Sequence, residues 1–189
     1  MKLIGISGTN GSGKDTIGEM LAERHGWLFV SVADMLRDEA KRRGVPIERE
    51  ELRKISTEWR REFGLGVLVD KAVEQFKDSS KKYKGLVVVP MRNPGEGQRV
   101  KDLGGPLVWV DADPKVRYER IRKRQRSSED KKTFEQFLAE EQAEMQHSGD
   151  QATLSMSGVK AKADIFIENN GDDAEEFKDR AEKALAKFL

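Results

Sequence analysis

Gly8-Thr9-Asn10-Gly11-Ser12-Gly13-Lys14-Asp15-Thr16, set directly behind the apolar run Leu3-Ile4-Gly5-Ile6 and ahead of a helix-like stretch, organises the reading of this 189-residue chain. Glycine tolerates positive φ and brings no side chain into an anion's space. A glycine-rich turn between a strand and a helix can therefore aim consecutive backbone N–H groups at a phosphate. The helix adds the positive end of its dipole, and Lys14 has the reach for the outer phosphates of a nucleoside triphosphate. The spacing is G-x-x-x-x-G-K, with Asp15 standing where a Ser/Thr metal ligand is expected. Thr16 offers a hydroxyl one residue further on and Asp15 offers a carboxylate. Mg²⁺ takes oxygen ligands and keeps several of its waters, so the sequence leaves both open.

Apolar runs of the same short, β-branched kind recur at Trp27 to Val32, Leu86 to Val89, Leu107 to Val110 and Ile165 to Ile167. Helical patterns separate them, which is how a buried parallel sheet with crossover helices reads, and one α/β domain over residues 1–189 accounts for the whole. Leu52, Ile55, Trp59 and Phe63 recur at helical spacing, and Leu68, Val69, Ala72, Val73 and Phe76 do so after the break Gly64-Leu65-Gly66. Thr133 with Gln136 carries a capping-box signature ahead of Phe134, Phe137 and Leu138; Asp172 with Glu175 repeats it before Phe177, Ala181, Leu185 and Phe188. These apolar and aromatic stripes, Trp59 among them, read as core.

A formal net charge of +1 speaks against a nucleic-acid partner, and charged residues, 37% of the chain in nearly equal numbers of each sign, read as a mixed solvated surface. There is no cysteine, which removes disulfides and thiolate metal sites. No apolar run approaches the roughly 20 residues that span a bilayer, and the start lacks the pattern of a signal peptide. The expectation is a soluble cytoplasmic protein, monomer or homodimer, that acts on a small molecule without a membrane partner.

Moving a phosphoryl group requires neutralising charge on donor and acceptor, and arginines appear where open α/β sheets bind ligands, beyond the carboxyl ends of strands. Arg37 follows the second apolar run in Asp34-Met35-Leu36-Arg37, and Arg92 follows the third in Arg92-Asn93-Pro94-Gly95-Glu96. Beyond the fourth, Asp111-Ala112-Asp113-Pro114 leads into Arg117, Arg120, Arg122, Arg124 and Arg126. Arg117, Arg120 and Arg124 share a helix face, suited to converging on phosphate or, more plainly, to a basic solvated surface. The polar stretch Ser127 to Lys132 suits a closing lid that excludes water.

These residues resemble the P-loop nucleoside and nucleotide kinase superfamily, discontinuously over most of the chain. Gly8 to Thr16 is similar to the G-x-x-G-x-G-K-x-T loop of adenylate kinase, and Gly-Lys-Asp-Thr to deoxynucleoside monophosphate kinases. Asp34-Met35-Leu36-Arg37 resembles the G-D-M-L-R segment of adenylate kinase. Arg92 to Glu96, with Leu103-Gly104-Gly105 behind it, resembles the D-x-R-x-x-x-E and G-G segment of deoxynucleoside monophosphate kinases. Ala163-Asp164-Ile165-Phe166-Ile167-Glu168-Asn169-Asn170-Gly171 looks like the A-D-x-x-I-x-N-x-G loop of dephospho-coenzyme A kinase.

The resemblance implies a three-layer α/β/α fold with a five-stranded parallel sheet, a helical acceptor-binding region over 34–80 and a short lid over 117–160. It implies ATP and Mg²⁺ as cofactors. ATP would be held by Gly8, Asn10, Gly11, Ser12, Gly13, Lys14, Asp15 and Thr16, with Asp15 and Thr16 toward the metal. Arg120, Asn169, Asn170 and Gly171 would lie near the donor base. Lys14, Arg37, Arg92 and Arg124 would act on phosphates, Arg37 and Arg92 at the acceptor. Two departures matter: Val89 and Pro90 stand where an acidic residue often precedes the third-strand arginine, and no arginine occurs between Arg126 and Arg180. The second makes adenylate kinase proper a poor fit.

The leading function is phosphorylation of a ribo- or deoxynucleoside monophosphate. The alternative is a dephospho-coenzyme A kinase in which Asp34 removes the proton of a ribose hydroxyl, a residue that also suits a helix N-cap. A non-catalytic P-loop module and a GTP switch come last: Asp102-Leu103-Gly104-Gly105 satisfies D-x-x-G, but no N-K-x-D occurs. Base readout would fall among Ile55, Trp59, Arg60 and Gly64 to Val67. His25, His147, Glu140 and Glu141 read as surface.

Overall fold

The computed structural model describes residues 1–79, 82–124, 132–146 and 149–189, without the side chain of Arg124. Five strands in those residues form a parallel sheet: β1 (Leu3–Gly8), β2 (Leu28–Ser31), β3 (Leu86–Val89), β4 (Leu107–Asp111) and β5 (Ile165–Glu168), in the order β2-β3-β1-β4-β5. The central strand β1 is buried throughout and sets Ile4 beside Val87 and Ile6 beside Val108.

Strand periodicity places alternate side chains on opposite faces, and both faces are covered. Ile4, Ile6, Val87, Val89, Val108 and Val110 pack with Ile17 and Leu21 of α1 (Lys14–His25) and Phe177 and Ala181 of α9 (Ala174–Leu185). Leu86, Val88, Leu107 and Trp109 pack on the other side with α2 (Val32–Arg43), α3 (Arg49–Phe63), α4 (Val67–Ser79), α5 (Pro94–Asp102) and α8 (Met156–Lys162). This is the three-layer α/β/α architecture the motifs imply. The remaining helices, α6 (Pro114–Arg124) and α7 (Phe134–Met145), lie over the end of the sheet that carries the Gly8–Thr16 loop. No described helix is long and apolar enough to cross a membrane.

Local chemistry moves some boundaries. The second strand stops at Ser31 because the Ser31 hydroxyl accepts the Asp34 amide at 3.2 Å and caps α2. Ser31, and not Asp34, is thus the N-cap, and Asp34 lies in the first turn. At α9 the cap is Asp173, one residue later than the Asp172 signature, because its carboxylate takes both the Glu175 and Glu176 amides. The capping box of Thr133 and Gln136 forms at α7. Trp59 is core at 8% exposure, whereas Phe63 is 57% exposed, since α3 ends there and projects its last residue past the packing face.

Candidate active site

The loop after β1 is held by its carbonyls. Lys14 Nζ donates to the Thr9 carbonyl at 3.3 Å, Arg117 to the Asn10 carbonyl at 3.4 Å and Asn169 Nδ2 to the Ser12 carbonyl at 2.9 Å. The Thr9 and Ser12 amides are spent within the fold, on the Val110 carbonyl at 3.2 Å and the Thr9 carbonyl at 3.4 Å, and it is the glycine-rich turn into α1 whose geometry suits aiming amide hydrogens at an anion. Gly13, the N-cap of α1, has φ 93°, and a Cβ there would lie 2.5 Å from Asn169 Nδ2; one on Gly8 would lie 2.1 Å from the Val110 carbonyl oxygen. The Thr9 hydroxyl donates to Asp111 at 2.7 Å. Burial pushes the Asp111 carboxyl up, but the bonds from Thr9, the Ala112 amide and Trp109, with Arg117 nearby, outweigh it and hold it below the usual carboxylate range. Ser12 Oγ is buried with no hydrogen-bond partner among the described residues, an orphaned polar atom in the loop. Orphan hydroxyl, glycine backbone and helix start together fit a phosphate chain, and Asp15 and Thr16 supply the oxygen donors a magnesium ion takes.

A cavity of about 880 Å³ runs from this loop into the space between α2 and α3. Asn10, Gly11, Gly13, Lys14, Asp15 and Thr16 line one part, and Asp34, Arg37, Arg92 and Arg120 are among the residues that line the rest. Asp34 and Arg37 pair at 2.6 Å across one helical turn, both well exposed. Arg92 leaves β3 in a rigid turn: its own amide and that of Asn93 donate to Glu96 at 2.7 and 3.1 Å, and the Asn93 amide group donates to the Gln151 and Thr153 carbonyls. Glu96 also takes Arg60 at 2.7 Å, a pair 0% and 1% exposed, so Arg60 is committed to holding this turn and not to reading a base.

The arginines of α6 divide. Arg117 does not converge on phosphate with its neighbours; it is 2% exposed, bonded to Glu141 of α7 at 2.9 Å and to the Ala112 carbonyl at 2.8 Å, because the loop carbonyl and two carboxylates draw it inward. Glu141 is accordingly half-buried rather than a surface residue. Arg120 donates to the Asn169 carbonyl at 2.8 Å and to that of Gly171, joining α6 to the loop after β5, while the Asn170 side chain accepts the Asp113 amide at 2.7 Å. The side chain of Arg124, with Arg126 and His147, lies outside the described residues. His25 is half-buried against Glu182.

One feature of the cavity had no signal in the sequence. Glu144 of α7 lies 2.6 Å from Arg53, 3.2 Å from Arg92 and 3.8 Å from Arg49. Burial pushes the Glu144 carboxyl up, and the guanidiniums of Arg92, Arg49 and Arg53 more than reverse this, holding it below the ordinary value. The three arginines and the carboxylate come from three separate stretches of chain, so no spacing announces them.

A phosphate-binding loop at the carboxyl edge of a parallel sheet in this order, with one cleft running from it to a set of arginines, defines a P-loop fold of the kinase type. Solved structures share it. The crystal structure of TT1252 from Thermus thermophilus matches over 99% of this chain and 97% of its own, with a TM-score of 0.59 at 21% identity. Shikimate kinase from Bacteroides thetaiotaomicron matches over 97% and 98%, with a TM-score of 0.57 at 15% identity. At such identity the likeness is one of fold. The family model described as an AAA domain matches residues 4–146. The chain belongs to that family and to the UPF0200 proteins, being 32% identical over 191 residues to the UPF0200 protein of Pyrococcus abyssi, 99% of this chain and 97% of that one. Its identity to the UPF0200 protein of Pyrococcus horikoshii is 32% over 192 residues, with the same coverage.

Proposed function

We propose that this chain is an ATP- and magnesium-dependent phosphotransferase that moves the γ-phosphoryl group of ATP to a ribo- or deoxynucleoside monophosphate. The observation that carries the reading is that Lys14 and the loop line one cavity together with Arg37 and Arg92. An acceptor phosphate is anionic at neutral pH. Its oxygen bonds to the γ-phosphorus as the bond to the bridging oxygen breaks and ADP leaves, with no proton to remove. The work of the protein is then positioning and charge neutralisation. Lys14 reaches the outer phosphates of ATP from the start of α1. Arg37 and Arg92 orient the acceptor, and Arg120 and the Asn169–Gly171 loop face the donor; the phosphate role that the resemblance implies for Arg124 rests on its sequence position alone. Asp15 and Thr16 are the candidate holders of magnesium, which when bound neutralises phosphate charge.

A second reading has one observation in its favour. Asp34 is released from capping by Ser31 and stands in the cavity beside Arg37, a position suited to taking the proton of a hydroxyl acceptor such as dephospho-coenzyme A. Coupled assays across ribo- and deoxynucleoside monophosphates, with dephospho-coenzyme A in the same panel, separate the two. Turnover is expected with a monophosphate, and Arg92→Met is expected to raise the acceptor KM by on the order of 10- to 100-fold. Turnover with dephospho-coenzyme A alone shifts the assignment to Asp34, and silence across the panel rules out both.

A further inference from the structure

We infer that Arg49, Arg53 and Arg92 form the seat of the acceptor's phosphate and that Glu144 competes for that seat from within the chain, setting the charge an acceptor must carry to enter. The inference deepens the kinase reading and rests on it for the acceptor's identity alone.

Two kinds of arginine–carboxylate contact occur around the cleft. Arg60 with Glu96 and Arg117 with Glu141 are sealed, with each arginine side chain at most 2% exposed, and serve the architecture. The Glu144 contacts are open: the Arg53, Arg49 and Arg92 side chains are 46%, 36% and 29% exposed. Releasing Glu144 therefore leaves no guanidinium stranded in a dry interior, where an unpaired charge is heavily penalised.

The charges are also unequal. Arg53 and Arg92 meet Glu144 at 2.6 and 3.2 Å, while Arg49 lies 3.6 Å from Glu140 and 3.8 Å from Glu144, so three guanidiniums meet two carboxylates, of which Glu144 is the one that touches all three. A phosphate monoester dianion brings more charge and a third oxygen, and arginines bind it in bidentate fashion. A free carboxylate brings nothing that Glu144 lacks, while Glu144 enjoys the effective concentration of a tethered group, on the order of millimolar. The seat so guarded admits phosphates and turns away carboxylates. A seat filled by Glu144 for about nine-tenths of the time costs a competing anion about tenfold in apparent affinity.

Calorimetric titration with inorganic phosphate and with acetate, at constant ionic strength and at a pH where phosphate is a dianion, tests this on the wild-type chain, Glu144→Gln and the double variant Glu144→Gln/Arg53→Met. Phosphate held by the Gly8–Thr16 loop is common to all three and cancels. Glu144→Gln is expected to tighten phosphate about tenfold and to admit acetate, with both gains lost in the double variant. Unchanged or weaker phosphate binding in Glu144→Gln, or a gain that survives Arg53→Met, overturns the inference. Hydrogen exchange across residues 134–145 reads the same event in the wild-type chain, should the variant fold poorly. Phosphate is expected to speed exchange in α7 as Glu144 is displaced; unchanged or slower exchange contradicts it. Neither measurement uses ATP or turnover, so a silent acceptor panel removes the kinase reading without touching this one, and the converse holds.

Discussion

Gly13 shows how narrowly the loop is built. Its φ of 93° belongs to the left-handed region, and the nearest obstacle to a side chain is the amide of Asn169, which is itself bonded to the Ser12 carbonyl. Gly13→Ala is expected to lower stability by about 1–3 kcal/mol and to weaken ATP binding, because relief of the backbone strain moves the carbonyls that Lys14, Arg117 and Asn169 hold. Urea unfolding with a parallel ATP titration checks it; wild-type values in both would mean that the loop tolerates another backbone path. Glycine spacing and Lys14 were legible in the sequence because they are neighbours. The braces were not: Thr9 finds Asp111 102 positions away and Asn169 finds Ser12 157 positions away, and only the sheet order brings them together.

Elements were readable to the extent that their own residues decide them. The strands announced themselves as β-branched runs because both sheet faces are buried, and the Thr133 cap was visible three residues from its partner. The helix α5 was less so: its capping box, Asn93 with Glu96, lies within the segment whose resemblance drew attention to Arg92 instead. Glu96 explains the turn in physical terms. One buried carboxylate takes the Arg92 and Asn93 amides and the Arg60 guanidinium, so it fixes where β3 delivers Arg92 and ties α3 to α5. Glu96→Ala leaves Arg60 buried without its carboxylate and is expected to cost about 3–5 kcal/mol in thermal or urea unfolding. A loss below about 1 kcal/mol, the scale of an exposed pair, would contradict that role.

At the scale of the whole molecule, the sheet order β2-β3-β1-β4-β5 places the ends of β1, β2 and β3 around one cleft, so the phosphate loop, Asp34 with Arg37, and Arg92 converge although they span more than eighty positions. That convergence follows from recognising a parallel sheet, and so the arginines at strand ends could be named beforehand. The placement of α7 across the cleft could not, since Glu144 meets Arg53 from 91 positions away and Arg92 from 52. On the proposed reading, the loop would hold a triphosphate and the arginines an acceptor anion in one cleft, an arrangement suited to transfer between them and not to hydrolysis by water. ATP labelled in its γ-phosphate, incubated with the protein and a mixture of nucleoside monophosphates, tests this most directly. The label is expected to appear in a nucleoside diphosphate and to be lost with Lys14→Met; label recovered only as inorganic phosphate, whatever acceptor is present, would contradict the assignment.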